Sequence, residues 1–512
     1  MTMLFRPISQ PFPLLATLAF LLPAATEARE SPTFAEDIAP IIHQRCSECH
    51  RPGEAAPFAL IDYDDVKRRS KTIQRVISDR YMPPWHPVPG HGDFRGERRL
   101  SDDEIATFNQ WINAGTPLGN PELAPEPPQF PKGWQLGEPD LVLTMDSSYA
   151  VPADGPDLYR SFVIPLDLPE DKWVTAIELR PEARSVVHHV LYFLDESGAA
   201  RKLDGQDGQP GFRGMRFRVS GRLGGYVPGA APQHLPANLA YPLPKGSDLV
   251  LQTHFHPSGK AVEEQFTVGL FFADKRPDKT LANIQVPPAF GRTMKIDIPA
   301  GEKDYRIKDT FKVPVDSVAH SVGGHAHYLC EEMKLTATLP DGTSKSLLYI
   351  NDWDLDWQDR YTFKEPVSLP AGTILTSELT YDNSADNPDN PTIPPVRVKW
   401  GRESTDEMGS ITLMVTAADE AEVSQLVRAS RMQQLAGATG DVLKNIIGAA
   451  YIKNLPQVVK RLDANADGKL QEKEIPEHIR PRLLDRLDLD KDRQLNKSEL
   501  QLLYDWAKNQ SA

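Results

Sequence analysis

The sequence predicts a multi-domain, mainly β protein: two β-sandwiches in series, with one small helical unit before them and another after. Three observations predict it. From about 140 to 417, short alternating or apolar runs recur between clusters of Gly, Pro, Asn and Asp, the pattern of strands and turns. Residues 33–118 and the stretch after about 440 carry apolar residues at helical spacing instead. Six prolines from Pro117 to Pro131 mark a stiff connection between the first helical unit and the strands. A chain of 512 residues has room for roughly three to four domains. The boundaries read 29–118 for the first helical unit, 119–139 for the linker, 140–280 and 281–418 for the sandwiches, 419–455 for a helical linker and 456–508 for the last unit.

The opening segment, 1–28, reads as a secretory signal. Arg6 supplies the charged start, Pro13 to Leu22 is an apolar run, and small residues precede Arg29. The run is shorter than the ~20 residues of a membrane span, and no later stretch is long and apolar enough. The expectation is an exported chain, periplasmic or secreted, without a membrane span when mature; an uncleaved anchor is the alternative. Lys+Arg 57 against Asp+Glu 71 gives −14, which argues against a nucleic-acid partner.

In the first helical unit, Phe34 to Gln44 is an amphipathic run leading into Cys46-Ser47-Glu48-Cys49-His50. C-x-x-C-H is the attachment signature of c-type haem: two thiols take thioether bonds and the histidine becomes an axial ligand. A redox Cys-x-x-Cys would want a βαβ context, which the pattern lacks. Met82, in the proline-bounded Tyr81-Met82-Pro83-Pro84-Trp85, is the expected second axial ligand, with His43, His86 and His91 as rivals. Asp64 to Arg80 reads as a second helix. A third begins after Ser101, where Glu104 completes a capping box and Ile105, Phe108, Trp111 and Ile112 mark a buried face. The haem motif uses two of three cysteines, so Cys330 stands alone and no pair of free cysteines is left for a disulfide.

Strands are expected over Leu141 to Met145, Trp173 to Leu179, Val186 to Leu194, Asp248 to His256 and Phe266 to Phe272. They continue over Lys334 to Leu339, Ile374 to Tyr381 and Ser410 to Thr416, with a seam near Arg276 to Ile284. They carry His188-His189 and His254; His325-Ala326-His327 falls between the Phe266 and Lys334 runs, and Met408 just before the last strand. Imidazole suits copper, and a thioether favours Cu(I) over zinc or hard cations. His325 and His327 share a strand face. His188 and His189 point to opposite faces of a regular strand and need a bulge or twist to chelate one ion. His256 shares a face with His254, so either can be the third ligand of that group.

In the last unit, Asp463, Asn465, Asp467, the Lys469 carbonyl and Glu474 fit positions 1, 3, 5, 7 and 12 of a calcium-binding EF-hand loop, with Gly468 at position 6. Asp488, Asp490, Asp492, Gln494 and Glu499 repeat the pattern, with Arg493 where glycine belongs, so the second loop is expected to bind calcium more weakly. The close spacing is similar to short bacterial EF-hand pairs.

The neighbourhoods of these residues carry two further resemblances. The haem segment resembles small class I cytochrome c domains. Val187-His188-His189-Val190-Leu191-Tyr192-Phe193, Leu251-Gln252-Thr253-His254-Phe255-His256, Gly324-His325-Ala326-His327 and Glu403-Ser404-Thr405-Asp406-Glu407-Met408 resemble, in order, the copper segments of the copper type II, ascorbate-dependent monooxygenases. That family includes the peptidylglycine and dopamine monooxygenases. The resemblance implies two tandem sandwiches of jelly-roll type and two separate copper sites. His188, His189 and His254 would hold an electron-storing copper; His325, His327 and Met408, as catalytic residues, would hold the copper that meets dioxygen. It implies hydroxylation of an activated C–H bond of a small organic substrate, with an external electron donor such as ascorbate, or the fused haem, supplying electrons. The chain departs from the family in lacking its many disulfides. Gly323 stands where the peptidylglycine branch has an arginine, so a C-terminal glycine peptide is not the expected substrate. Cys330 is either a buried thiol or a soft group near copper. A non-catalytic electron-transfer or copper-binding protein is the alternative reading.

Overall fold

Alternation of apolar and polar residues settles most of the architecture, because each alternating run must bury one face. The structure, a computed structural model, describes residues 31–430, 433 and 455–509, apart from 53, 55, 131–132, 215–216, 218, 228–231, 237, 478, 489 and 491. The expected signal segment and most of the 419–455 linker lie outside the described residues. The protein is mainly β, and its strand ladders are antiparallel.

Two sheets face each other in the first half. One has the order Leu141–Thr144, Thr267–Phe272, Lys172–Arg180, Tyr241–Leu243; the other Phe212–Arg213, Leu158–Pro165, Asp248–Phe255, Val187–Asp195, Gly221–Tyr226. Val174, Val268 and Leu270 from the first meet Phe162, Val190, Leu251 and Phe255 from the second in one buried cluster. The second half repeats the plan. Leu281–Val286, Gly409–Ala417, Ser317–Ala326 and Arg360–Leu369 form one sheet, and Tyr305–Lys312, Ile374–Tyr381, Cys330–Thr338 and Ser344–Ile350 the other. Their shared core includes Val322, Leu335, Leu379 and Leu413.

The first helical unit has its own core of Phe34, Ile38, Ile42, Ile73, Phe108 and Trp111. The Phe34 run opens with a π-helical turn, Phe34–Ile38, before Ala39–Arg45. The expected 64–80 helix is two helices, Tyr63–Arg68 and Ser70–Ser78, because Arg69 leaves helical geometry (φ −109°, ψ 8°). Its guanidinium lies over the Phe58 ring, 4.4 Å from the centroid. Asp102–Asn113 carries the capping box: Ser101 Oγ accepts from Glu104 N at 3.1 Å, and Glu104 accepts from Ser101 N at 2.7 Å. Residues 84–95 leave this core and lie across the second sandwich. Val88 N donates to Tyr349 O, Arg95 N to Thr362 O, and Phe94 stacks on Phe363 at 5.2 Å.

After the sandwiches, helical residues 423–430 return to the second core through Leu426. The last unit places helices Leu455–Leu462, Arg480–Leu487 and Lys497–Asn509 around two loops joined by the ladder Leu470↔Leu495 and Gln471↔Gln494. Among the described residues, no helix is long and apolar enough to cross a membrane.

Candidate metal centre

The tandem-histidine strand carries the bulge that chelation by both rings requires. Val187 pairs with Phe255 and His189 with His254, so two steps on Val187–Asp195 match one on Asp248–Phe255 and His188 is the extra residue. The bulge brings His188, His189 and His254 together, with one nitrogen of each ring within 4.8 Å of the others. The Nδ1 atoms of His188 and His189 are 3.2 Å apart. Two nitrogens bound at ~2.0 Å to one tetrahedral ion are about 3.3 Å apart.

Outer partners decide which nitrogen each ring offers. His254 Nε2 lies 2.8 Å from Asp157 Oδ2, and His188 Nε2 lies 3.0 Å from Asp356 Oδ1. A carboxylate only accepts, so both Nε2 atoms carry the proton and both Nδ1 atoms keep the lone pair. His254 Nδ1 is buried with no hydrogen-bond partner, a donor atom waiting for an acceptor of its lone pair. Tyr159, opposite His254 in the ladder, stacks on its ring at 4.3 Å and covers it. His256 is exposed and bonds the other oxygen of Asp157 at 2.9 Å, outside this group.

The second group lies on the paired strands Ser317–Ala326 and Gly409–Ala417. His325 pairs with Ser410 and Ala326 with Gly409, where the ladder ends; His327 and Met408 are the next residues of the two segments. His325 Nδ1 is 2.6 Å from Gln358 Oε1, and His327 Nδ1 is 3.1 Å from Asp406 O. Both are pure acceptors, so each ring offers Nε2. Glu407, fully buried, accepts from the amides of His327 (2.6 Å), Met408 (2.8 Å) and Leu329 (3.0 Å), and so ties the two ligand segments together. Burial pushes its carboxyl up to about 8, against those three bonds.

The rings are kept neutral. Burial lowers His189 well below its ordinary value, with the neighbouring histidines adding to the effect. Burial brings His325 down to about 4 and His327 to about 3. A neutral imidazole is the form that binds metal.

Asp157, Asp356, Gln358 and Phe290 escaped the sequence reading. Phe290 packs edge-on against His325 at 4.9 Å, from a backbone in which Ala289 and Phe290 both hold left-handed φ (51° and 54°). Two such residues in a row store strain of a kind found at functional sites. Cys330 is a buried thiol in the second core, donating to Glu332 O at 3.6 Å.

In the N-terminal unit, His50 Nδ1 lies 3.1 Å from Phe58 O, which leaves Nε2 as the ring's free donor atom. Burial pushes the Cys46 thiol up to about 12 and raises Cys49 as well. Met82 is half-buried in the loop after Ser70–Ser78, its amide bonded to Val76 O. The rivals His86 and His91 engage the second sandwich, through Asp352 O (2.9 Å) and Ser346 Oγ (2.7 Å). His43 donates to Ile61 O at 3.0 Å from one nitrogen, and its Nδ1 is buried without a partner.

The two acidic loops adopt matching turns. Asp463 accepts from the amides of Asp467 (3.1 Å) and Gly468 (2.9 Å); Asp488 accepts from those of Asp492 (3.1 Å) and Arg493 (2.9 Å). Asp467 accepts from Lys469 N, and Glu474 from Ala464 N and Gln471 N. In the second loop Gln494 N donates to Asp492, and Glu499 accepts from Asn496 N. Carboxylate oxygens of Asp488, Asp490 and Asp492 cluster within 4.8 Å. Gly468 (φ 78°) and Arg493 (φ 61°) hold the same turn position.

No protein-family model and no curated protein matches the chain. Among solved structures, it is similar over 54% of its length to PNGF-II (9% identity, 65% of that chain, TM-score 0.25). It is likewise similar over 54% to the major capsid protein P2 of bacteriophage PM2 (12% identity, 97% of that chain, TM-score 0.21). Over 55% of its length it is similar to the VP2 subviral particle of infectious bursal disease virus (9% identity, 72% of that chain, TM-score 0.18). Likeness at this level says nothing about activity.

Proposed function

We propose that the protein is an exported copper monooxygenase that hydroxylates an activated C–H bond of a small organic substrate with dioxygen. The observation that carries this reading is the direction of the lone pairs. One nitrogen each of His188, His189 and His254 lies within 4.8 Å of the others, with the His188 and His189 Nδ1 atoms 3.2 Å apart and His254 Nδ1 unpartnered, while His325 and His327 are held through Nδ1 and so offer Nε2 at the end of the ladder that leads to Met408. All-imidazole and imidazole–thioether donor sets suit copper, and the thioether favours Cu(I). Bound there, two copper ions would supply the two single electrons that such a hydroxylation needs.

The chain's own residues do the rest. Asp157 and Asp356 hold the first group's rings in their Nε2–H form; Gln358 and the Asp406 carbonyl hold the second group's in the Nδ1–H form. Glu407 keeps Met408 in register with His327. Tyr159 and Phe290 shield one ring of each group from water.

The N-terminal unit, on this reading, is a cytochrome c-like domain with haem c on Cys46 and Cys49, His50 and Met82 being its axial ligands. A haem so placed would serve as an internal electron source, itself reduced by an external donor. The last unit, as an EF-hand pair, would take calcium through Asp463, Asn465, Asp467, Lys469 and Glu474, and less tightly through the second loop.

The test is the copper-to-haem ratio of the exported protein after copper loading and desalting. Two coppers per haem are expected, with Met408→Ala abolishing hydroxylation while the haem spectrum stays intact. Retention of no copper would refute the proposal and leave the sandwiches as the scaffold of an electron carrier.

A further inference from the structure

We infer that one short turn, Asp354 to Asp359, sets the ring orientation of a histidine in each group and registers both with the N-terminal unit. The turn is built around a 3-10 segment, Leu355–Trp357, closed by Asp354 Oδ1 accepting from Asp356 N at 2.8 Å. From it, the Asp356 carboxylate accepts from His188 Nε2 at 3.0 Å. Two residues on, Gln358 Oε1 accepts from His325 Nδ1 at 2.6 Å. The Gln358 amide has one orientation, because its NH2 donates back to Leu355 O at 3.0 Å. The same turn therefore imposes opposite tautomers: Nε2–H on His188, Nδ1–H on His325. Each choice turns the remaining lone pair toward that ring's own group.

The turn is also pinned from the other side. Asp359 pairs with Arg98 of the N-terminal unit at 3.0 Å, both side chains largely buried, and the same guanidinium donates to Pro84 O at 3.1 Å. Asp356 and Gln358 are thus positioning residues, and Arg98 positions them in turn. Partners of this kind change the metal affinity of a ligating histidine by ~10–100-fold. That consequence rests on the copper reading; the tautomers do not.

The experiment uses the full chain with 15N-labelled histidine and no metal. Two-bond 1H–15N correlations, assigned with single His→Gln variants, distinguish Nδ1–H from Nε2–H rings. In the unsubstituted protein His188 should be Nε2–H and His325 Nδ1–H. Gln358→Leu should release His325 alone into a tautomer mixture, and Gln358→Glu, which keeps an acceptor, should restore it. Asp356→Ala should release His188 alone. Arg98→Ala, which touches neither ring, should loosen both. Copper titration of the same samples should then show ~10–100-fold weaker binding at the released group. Rings unchanged in Asp356→Ala and Gln358→Leu would overturn the inference whatever copper does. Rings unchanged in Arg98→Ala would overturn the link to the N-terminal unit. Released rings in a protein that binds no copper would leave the positioning role standing and refute the copper reading.

Discussion

Asp157 accepts three side-chain hydrogen bonds, from His254 Nε2 (2.8 Å), His256 Nδ1 (2.9 Å) and Ser404 Oγ (2.7 Å), and the last of these crosses from the Met408 segment. Burial pushes its carboxyl up, but the His254, Ser404 and His256 bonds outweigh it and hold it well below the carboxylate range. A depressed carboxylate contributes stability that is present above its unfolded value, 3.8, and is lost only as the pH falls through the depressed one. The contribution is therefore complete at neutral pH. Asp157→Ala leaves His254 Nε2–H without an acceptor at 3% exposure, which counts nearly in full, whereas His256 at 63% is solvated and counts for little. With a charged acceptor worth ~1.5–3 kcal/mol per buried bond, the loss should be about 3 kcal/mol in the sandwiches' unfolding transition. Copper affinity of the His188–His189–His254 group should fall ~10–100-fold. Asp157→Asn keeps an acceptor for His254 and should show a smaller part of both losses. Urea unfolding of the apo protein and competitive copper titration read the two effects. An Asp157→Ala variant with parental stability and affinity would refute this account of how His254 is held.

Burial holds His325 and His327 neutral down to about 4 and about 3, so their contribution to stability is complete above the unfolded value of 6.5. It is lost as the pH falls from there toward those values, at about 1.4 kcal/mol per unit and group. Urea midpoints of the apo protein should therefore drop faster from pH 7 to 5 than those of a His325→Gln, His327→Gln double variant; equal slopes would refute burial as the cause. Arg493→Gly should tighten calcium binding at the second loop, since a left-handed φ costs arginine ~1 kcal/mol that glycine avoids; calorimetric titration showing unchanged affinity would mean the Arg493–Glu472 pair offsets that cost. Cys46→Ala with Cys49→Ala should abolish covalent haem, read by peroxidase staining of the denatured chain, and persistent stain would exclude the motif as the attachment point.

Strands with clean alternation were legible from the residues. Leu141–Thr144, Lys172–Arg180 and Ile374–Tyr381 lie within two residues of expectation because they alternate, and Thr267–Phe272 does so as an apolar run buried at four consecutive positions. Others were not, for local reasons. Leu158–Pro165 hides an inward arginine, Arg160, satisfied by Asp207 and by loop carbonyls. Arg360–Leu369 contains Pro366, tolerated because its ladder with Ser317–Ala326 breaks between Thr362 and Val367. Ser317–Ala326 is disguised by Gly323 and Gly324. The structure explains both glycines: a side chain at Gly324 would collide with Met333 Sδ, and one at Gly323 would crowd Asp359 O at 3.2 Å.

At the site, residue type was legible and orientation was not. Histidine and methionine are the residue types that a soft-metal donor set would need, and they can be picked out wherever they fall in the chain. Whether His188 and His189 face one point depends on a single extra residue between Val187↔Phe255 and His189↔His254, and no residue type is specific to such a bulge. Which nitrogen each ring offers depends on Asp157, Asp356 and Gln358, polar residues in loops or at a strand edge, indistinguishable by sequence from residues that merely face water. A ligand must be one of a few residue types, whereas the acceptor that aims it is any carboxylate, amide or carbonyl that the fold brings within 3 Å. Aim is therefore a property of contacts between distant segments, and here two of those contacts, Asp356 to His188 and Ser404 to Asp157, run between the two halves of the protein.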